Sequence, residues 1–242
     1  MPPIQFSPLQ PKVVLGVAAH PDDLDFSTSA TMAKYAAQGA KVYYLLLTDG
    51  SKGSEDKNIT QSELIAIRHK EQETALKAIG GQSVKFLDYP DGALEVTLEL
   101  KKQIVVEIRH RKPDVVVVMD PTIVYSKTRG FINHSDHRAA GQATIDAVYP
   151  LARDHLTYPD LYAEGYQPHK VKTLLLTNFD DQNYYEDVSD YLDKKWLSLS
   201  HHASQIKDMQ KTKEMFREIA KIYGQKAGFK YADGFMRLDM PL

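Results

Sequence analysis

Apolar residues along the chain alternate between short continuous runs and longer stretches with helical spacing. The continuous runs predict buried strands at Lys12–Ala19, Lys41–Leu47, Val84–Leu87, Val115–Met119 and Val171–Leu176. The spaced positions between them predict helices at Phe26–Gln38, Glu63–Ile79, Leu98–Arg111 and Arg138–Val148. This alternation predicts the α/β class, as a Rossmann-like three-layer fold with a mainly parallel sheet.

The remaining segments carry weaker patterns. Residues 1–11 contain four prolines and predict an irregular lead-in, and residues 120–136 predict a long loop. Residues 149–170, rich in Tyr, Pro, His and Asp, predict an irregular excursion, whereas Asp190–Ile222 predicts mainly helix. Since no repeat, low-complexity tract or linker divides the sequence, we expect one domain over residues 1–242.

Composition narrows the classes of function. The 242 residues suffice for one large α/β domain, and a net charge of −2 gives no general attraction to nucleic acid or to an anionic membrane. The chain has no cysteine, so a zinc site would have to use histidine and carboxylate ligands. We find no signal-peptide pattern and no apolar run near the roughly 18 residues that span a bilayer, which predicts a cytoplasmic protein.

The most informative polar cluster follows the first predicted strand. The run ends in His20-Pro21-Asp22-Asp23-Leu24-Asp25, which places one histidine and three carboxylates just past a buried strand. Open α/β sheets bind ligands at this edge. The cluster fits either a turn whose aspartates cap a helix or a metal site with a spare carboxylate.

A second cluster favours the metal site. Asn133-His134-Ser135-Asp136-His137 also follows a buried strand, so both clusters are expected at the same edge of a parallel sheet. His20, Asp23 and His137 then form a set of two histidines and one carboxylate. Such a set leaves a position open for water or substrate, as a catalytic zinc requires, whereas a structural zinc has four closed ligands.

The other members of the clusters have natural roles around such a metal. Asp22 need not bind it and is a candidate general base for a water molecule. His134 is a candidate to protonate a leaving group or to stabilise an oxyanion. Asp136 is a candidate to hydrogen-bond an imidazole ring and raise its basicity.

Ala19-His20-Pro21-Asp22-Asp23 together with His134-Ser135-Asp136-His137 resembles the LmbE-like, PIG-L family of zinc-dependent de-N-acetylases, over about residues 13–205. The resemblance implies one zinc ion per chain, held by His20, Asp23 and His137, although another divalent metal is an alternative. It also implies Asp22 as the base and His134, supported by Asp136, as the assisting histidine. Two further elements match: Arg68 lies in an RxxE pattern, and His202 begins an HxSQ element. Both are predicted to bind substrate.

The expected function is therefore hydrolysis of the acetamido group of an N-acetylglucosamine-type sugar or glycoconjugate. The resemblance implies a small amidosugar as partner, and a homo-oligomer, either a trimer or a hexamer. Two alternatives stay open. One keeps the metal site but hydrolyses another amide or an ester, and the other is a non-catalytic homologue that binds a glycan.

Overall fold

The structure is a computed structural model that describes residues 6–126, 130–178 and 180–241. Its strands are β1 (Val13–Ala18), β2 (Lys41–Thr48), β3 (Ser83–Tyr89), β4 (Val115–Met119), β5 (Tyr125–Ser126), β6 (Phe131–Ile132), β7 (Thr173–Thr177), β8 (Tyr184–Asp187) and β9 (Ala232–Asp239). Its helices are α1 (Asp23–Ala37), α2 (Gln61–Ala78), α3 (Leu98–Arg111), α4 (Ser135–Asp146), a π-helical turn (Ala147–Leu151), α5 (Pro159–Ala163), α6 (Leu192–Leu199) and α7 (Met209–Ala227).

The central layer is a seven-stranded sheet in the order β3-β2-β1-β4-β7-β9-β8. The first five strands of this order pair in parallel, and β9 runs antiparallel to both of its neighbours. The strand order reverses between β1 and β4. Because a crevice opens at the carboxyl ends of the strands at such a switch point, the residues after β1 and β4 are placed to line a binding site.

Helices cover both faces of the sheet. Alternate residues of the parallel strands pack against α3 and α4 on one face and against α1 and α2 on the other. Val14 to Ala18 of β1 are all buried, as expected for a strand covered on both sides. Helices α6 and α7 pack outside α1 around Trp196 and Leu199. The predicted three-layer α/β fold is confirmed.

Two helices begin three residues earlier than predicted, and both shifts concern the polar clusters. Helix α1 begins at Asp23 rather than Phe26, and α4 begins at Ser135 rather than Arg138. Acidic side chains are favourable in the first turn of a helix, where backbone N–H groups lack partners. Asp23, Asp136 and His137 therefore lie on rigid first turns and not in loops.

The last third differs most from the sequence prediction. The helix expected over Asp190–Ile222 is two helices, α6 and α7, separated by residues 200–208. Strands β8 and β9 were not predicted, because they are polar and form the antiparallel end of the sheet. The 149–170 excursion contains α5, and the 120–136 loop contains the β5–β6 hairpin. Residues 1–5 of the lead-in and residues 127–129 of that loop lie outside the described residues. No helix among the described residues is long and apolar enough to cross a membrane.

Candidate active site

The two predicted clusters meet at the carboxyl edge of the sheet. His20 follows β1, whereas His134 caps the amino end of α4 and His137 lies in its first turn. The ring centroid of His20 lies 4.8 Å from that of His134 and 5.2 Å from that of His137. Helix α4 can reach this edge because Gly141 packs directly on β4, where a Cβ atom would lie only 2.3 Å from the carbonyl oxygen of Met119.

Asp23 is the carboxylate that joins two of these histidines. Its Oδ1 lies 3.1 Å from Nε2 of His137, and its Oδ2 lies 3.4 Å from Nδ1 of His20. The backbone N–H of His20 also donates to Oδ2 at 2.8 Å, which fixes the carboxylate against the end of β1. The structure thus brings together His20, Asp23 and His137, the predicted ligand set.

The orientation of the His137 ring is determined by a residue one turn before it. Nδ1 of His137 lies 3.1 Å from Oδ1 of Asn133, and Nδ2 of Asn133 donates to the carbonyl oxygen of Ile123 at 2.9 Å. The Ile123 carbonyl can only accept, so the amide oxygen of Asn133 must face His137. The neutral ring therefore carries its proton on Nδ1, and the lone pair of Nε2 faces Asp23.

Two carboxylates hold the opposite side of the His20 ring. Nε2 of His20 lies 3.2 Å from Oδ1 of Asp91 and 3.2 Å from Oδ2 of Asp136. Asp136 also accepts backbone N–H groups from Gly92, at 2.7 Å, and Leu94, at 3.3 Å. Burial lowers the pKa of His20, but bonds to Asp23 and Asp91 outweigh it and raise this pKa to about 11. With Nε2–H donated outward, Nδ1 faces Asp23.

This donor set fits a bound cation. If both rings are neutral, the Asp23 carboxylate faces two imidazole lone pairs within 3.4 Å, acceptor against acceptor. Either His20 then takes up a proton, as its raised pKa indicates, or a metal ion lies among the three groups. Potential ligand atoms of His20, His134 and His137 also lie within 4.8 Å of one another, as do those of His20, Asp91 and Asp136. Of these, Asp91 and Asp136 face the Nε2 side of His20, so they orient the ring from outside. His20, Asp23 and His137 could hold the ion, with His134 beside them.

Asp22 stands next to this set in an unusual conformation. It is a buried residue at the N-cap of α1 with φ 88° and ψ −28°, and its side chain makes no capping bond. Burial and the neighbouring Asp23 raise its pKa to about 7, although the positive charge of Arg68 opposes this. A carboxyl group with such a pKa can gain and release a proton near neutral pH.

His134 borders the same space from the opposite side. Its Nδ1 accepts the backbone N–H of Asp136 at 3.2 Å, so the neutral ring carries its proton on Nε2. Burial, together with the positive charge of His20, lowers the pKa of His134 and favours this neutral form. Oδ1 of Asp136 lies 4.0 Å from the His134 ring, so its carboxylate contacts His20 more closely than the histidine it was predicted to support.

Arg68 and His202, predicted to bind substrate, lie behind Asp22. Arg68 is 5% exposed and donates to the carbonyl oxygens of Gly50, Lys52 and Pro21, with Nη2 at 3.4 Å from Oδ2 of Asp22. His202 is 1% exposed, and its Nε2 lies 3.0 Å from Oδ2 of Asp25. Neither is among the described residues that line the cleft beside His134 and His137.

A cleft of about 270 Å³ opens beside His134 and His137. Polar and apolar side chains both line it. The lining residues are Asp23, Phe26, Ser27, Met119, Asp120, Ile123, Phe131, Ile132, Asn133, His134, His137, Thr177 and Phe216. The cleft therefore combines charged groups with apolar side chains, the usual composition of a site for a small organic ligand.

Sequence reasoning missed two residues of this centre. Asp91 lies in the turn after β3, and its position at the carboxyl end of a parallel strand was the available signal. Asn133 begins the second cluster but had no predicted role there, and its spacing of four from His137 was the corresponding signal. Both residues orient a histidine ring from its outer side.

Comparisons with known proteins identify the family to which this chain is related. Residues 15–148 match the model of a family described as PIG-L, GlcNAc-PI de-N-acetylase. The chain is 34% identical over 225 residues to diacetylchitobiose deacetylase of Thermococcus kodakarensis, covering 92% of this chain and 82% of the relative. It is 28% identical over 208 residues to a probable N-acetyl-alpha-D-glucosaminyl L-malate deacetylase 2 of Bacillus anthracis, covering 85% of each.

Solved structures share the fold. The inhibitor-bound N,N'-diacetylchitobiose deacetylase of Pyrococcus horikoshii superposes with a TM-score of 0.87 at 30% identity, over 95% of this chain and 84% of that one. The zinc inhibited form of teicoplanin deacetylase Orf2 has a TM-score of 0.62 at 14% identity, over 94% and 98% of the two chains, which shows a shared fold.

Proposed function

Because this chain belongs to the PIG-L family of de-N-acetylases, we propose that it hydrolyses the acetamido group of an N-acetylglucosamine-containing oligosaccharide or conjugate at a zinc ion held by His20, Asp23 and His137. The observation that carries this proposal is the arrangement around Asp23. Its carboxylate faces two imidazole nitrogens, and each ring is turned toward it by an acceptor on the far side. The relatives named for diacetylchitobiose and for N-acetylglucosaminyl malate support an amidosugar substrate.

The bound metal would supply a Lewis acid for the amide carbonyl and would acidify a water molecule. Three ligands from the protein leave a position open for these groups. Another divalent metal with the same ligand preference, bound in place of zinc, is the alternative. The residues of the chain itself then have to move protons and hold the substrate.

Asp22 accepts the proton of the attacking water in this proposal. Its pKa of about 7 means that a large fraction is ionised at neutral pH, and the protonated acid formed in the first step is stable enough to act again. The side chain is free for this task because it does not cap α1. Arg68 stabilises the ionised form from behind.

His134 acts on the other side of the amide. Its Nε2–H donates to the oxygen that becomes negative as water adds to the carbonyl, the role of an oxyanion-hole donor. The C–N bond then breaks, and the nitrogen takes the proton held by Asp22. The products are a free amine and acetic acid, which ionises to acetate by releasing its proton to solvent. One water molecule is consumed in each turnover.

The apolar part of the cleft receives the remainder of the substrate. Phe26 and Phe216 have ring centroids 5.4 Å apart and lie on the same wall. Aromatic rings of this kind pack against the apolar face of a sugar ring or against an apolar substituent. This favours a substrate larger than the simple monosaccharide.

The proposal is tested by measuring free-amine release from N-acetylglucosamine, diacetylchitobiose, N-acetylglucosaminyl malate and N-acetylglucosaminyl inositol. Zinc-loaded protein should deacetylate at least one of them, and chelator-treated protein should not. His137→Ala should lose both zinc and activity, whereas the matched control His155→Ala, with a side chain that is 68% exposed, should keep both. Zinc bound at one ion per chain with no release from any compound would overturn the proposed substrate class. Full zinc content in His137→Ala would overturn the ligand set.

A further inference from the structure

A buried chain of hydrogen bonds runs from the candidate base to the carboxyl-terminal part of the protein. We propose that Gln72 and Asp25, held by Ser198 and His202, position Asp22 for proton transfer. This inference rests on the proposed function, because it concerns how the same site keeps its base in place. All four side chains are at most 1% exposed.

The first link is the backbone of Asp22. Its φ of 88° lies in the left-handed region, which is strained for a residue with a side chain. Its N–H donates to Oε1 of Gln72 at 2.8 Å. Since Asp22 makes no capping bond with its own side chain, this contact with α2 holds the Asp22 peptide in that conformation.

The second link fixes which way the Gln72 amide faces. Nε2 of Gln72 donates to Oδ2 of Asp25 at 2.6 Å. An ionised carboxylate can only accept, so Asp25 must face the NH₂ group of Gln72. The amide oxygen is thereby left facing Asp22. Asp25 thus fixes the orientation of the Gln72 amide, and the Gln72 amide in turn holds the backbone of Asp22.

The third link anchors Asp25. The Ser198 hydroxyl donates to Oδ1 of Asp25, and Nε2 of His202 donates to Oδ2 at 3.0 Å. Ser198 lies in α6 and His202 just after it, more than 170 residues from Asp25 along the chain. The last part of the sequence thereby fixes a carboxylate on the first turn of α1, where the metal ligand Asp23 also lies.

A double-mutant cycle distinguishes positioning from general structural support. Gln72→Leu removes both bonds of the amide, and we expect kcat to fall roughly 10-fold or more with KM and zinc content unchanged, the scale of a misplaced catalytic group. In an Asp22→Asn background the same substitution should leave the residual kcat unchanged, because no base remains to be positioned. Gln103→Leu is the control, since that amide donates to Glu99 one turn away on the same helix, α3.

The outcomes distinguish the role of Asp22 as the base from its positioning by Gln72. If Asp22→Asn keeps the normal kcat, the proposed base is wrong. If Asp22→Asn is slow but Gln72→Leu lowers kcat by the same factor in both backgrounds, the base stands and the positioning is refuted. Should Gln72→Leu fail to fold, the exchange Gln72→Glu with Asp25→Asn keeps one carboxylate and one amide in the chain. It should recover kcat relative to Gln72→Glu alone, and no recovery would refute the inference.

Discussion

Replacing Asn133 tests how the His137 ring is held. Its amide oxygen lies 3.1 Å from Nδ1 of His137 and fixes the ring form whose Nε2 faces Asp23. Loss of such an outer-sphere partner typically weakens metal binding 10- to 100-fold. Because the bond is between neutral groups and the His137 side chain is 22% exposed, we expect the lower end, about 10-fold, which is about 1.4 kcal/mol.

The assay is competition for zinc against a chromophoric chelator, with Asn133→Ala and Asn133→Asp compared to the native protein. Asn133→Asp loses the donor to the Ile123 carbonyl but keeps an acceptor for His137. Because a carboxylate partner raises the basicity of the imidazole, this variant should bind zinc at least as tightly as the native protein. Asn58→Ala, a change in the exposed loop before α2, is the control. Equal affinity for Asn133→Ala and the native protein would refute the role of the ring orientation. Equal losses in both Asn133 variants would assign the effect to the loop.

Three further predictions concern the cleft, the sheet and helix α4. Phe216→Ala should raise KM for diacetylchitobiose more than for N-acetylglucosamine in steady-state assays, because it shortens the apolar wall; equal changes would contradict this. Asp114→Asn should lower the free energy of unfolding by about 1–2 kcal/mol at pH 7, since Asp114 accepts the N–H groups of Lys12 and Val13. Burial raises the pKa of Asp114, but bonds to Lys172, Lys12 and Val13 outweigh it and lower this pKa below its usual 3.8. Urea titrations should therefore show this difference shrinking as pH falls below about 4; a constant difference would refute that linkage. Gly141→Ala should lower both the melting temperature and zinc affinity, because its new Cβ pushes α4 from β4, and unchanged zinc binding would show that α4 tolerates the shift.

The sequence predicts those parts of the site that follow from one strand and its ending. A continuous apolar run gives a buried parallel strand, and the carboxyl ends of such strands share an edge, so His20 and His137 could be assigned to one place before any coordinates. The residue types at that edge then limit the chemistry to histidine and carboxylate ligands. These inferences need only local pattern and the geometry of a parallel sheet.

Contacts between distant segments could not be predicted in the same way. Asp91 contacts His20 because the turn after β3 folds over the end of β1, two strands away in the sheet. The sequence near His202 predicts a polar, lysine-containing helix. The burial of His202 depends instead on its contact with Asp25, which is 177 residues away. Strands β8 and β9 carry charged residues such as Asp233 and Arg237 that pair within the fold, so their apolar pattern is weak.

The bonds from Ser198 and His202 to Asp25 bear on how the protein can be divided. Residues 15–148 contain the predicted metal ligands and both histidine clusters, yet they end before β7, the parallel neighbour of β4. A fragment with those limits would expose one edge of β4 and leave the Asp25 carboxylate without two of its donors. The region that defines the family is thus not a module that can be transplanted alone. Fusions, permutations and chimaeras of this protein should keep α6 and the segment after it with the amino-terminal half, and breaks in the chain belong elsewhere, in exposed segments such as residues 53–58.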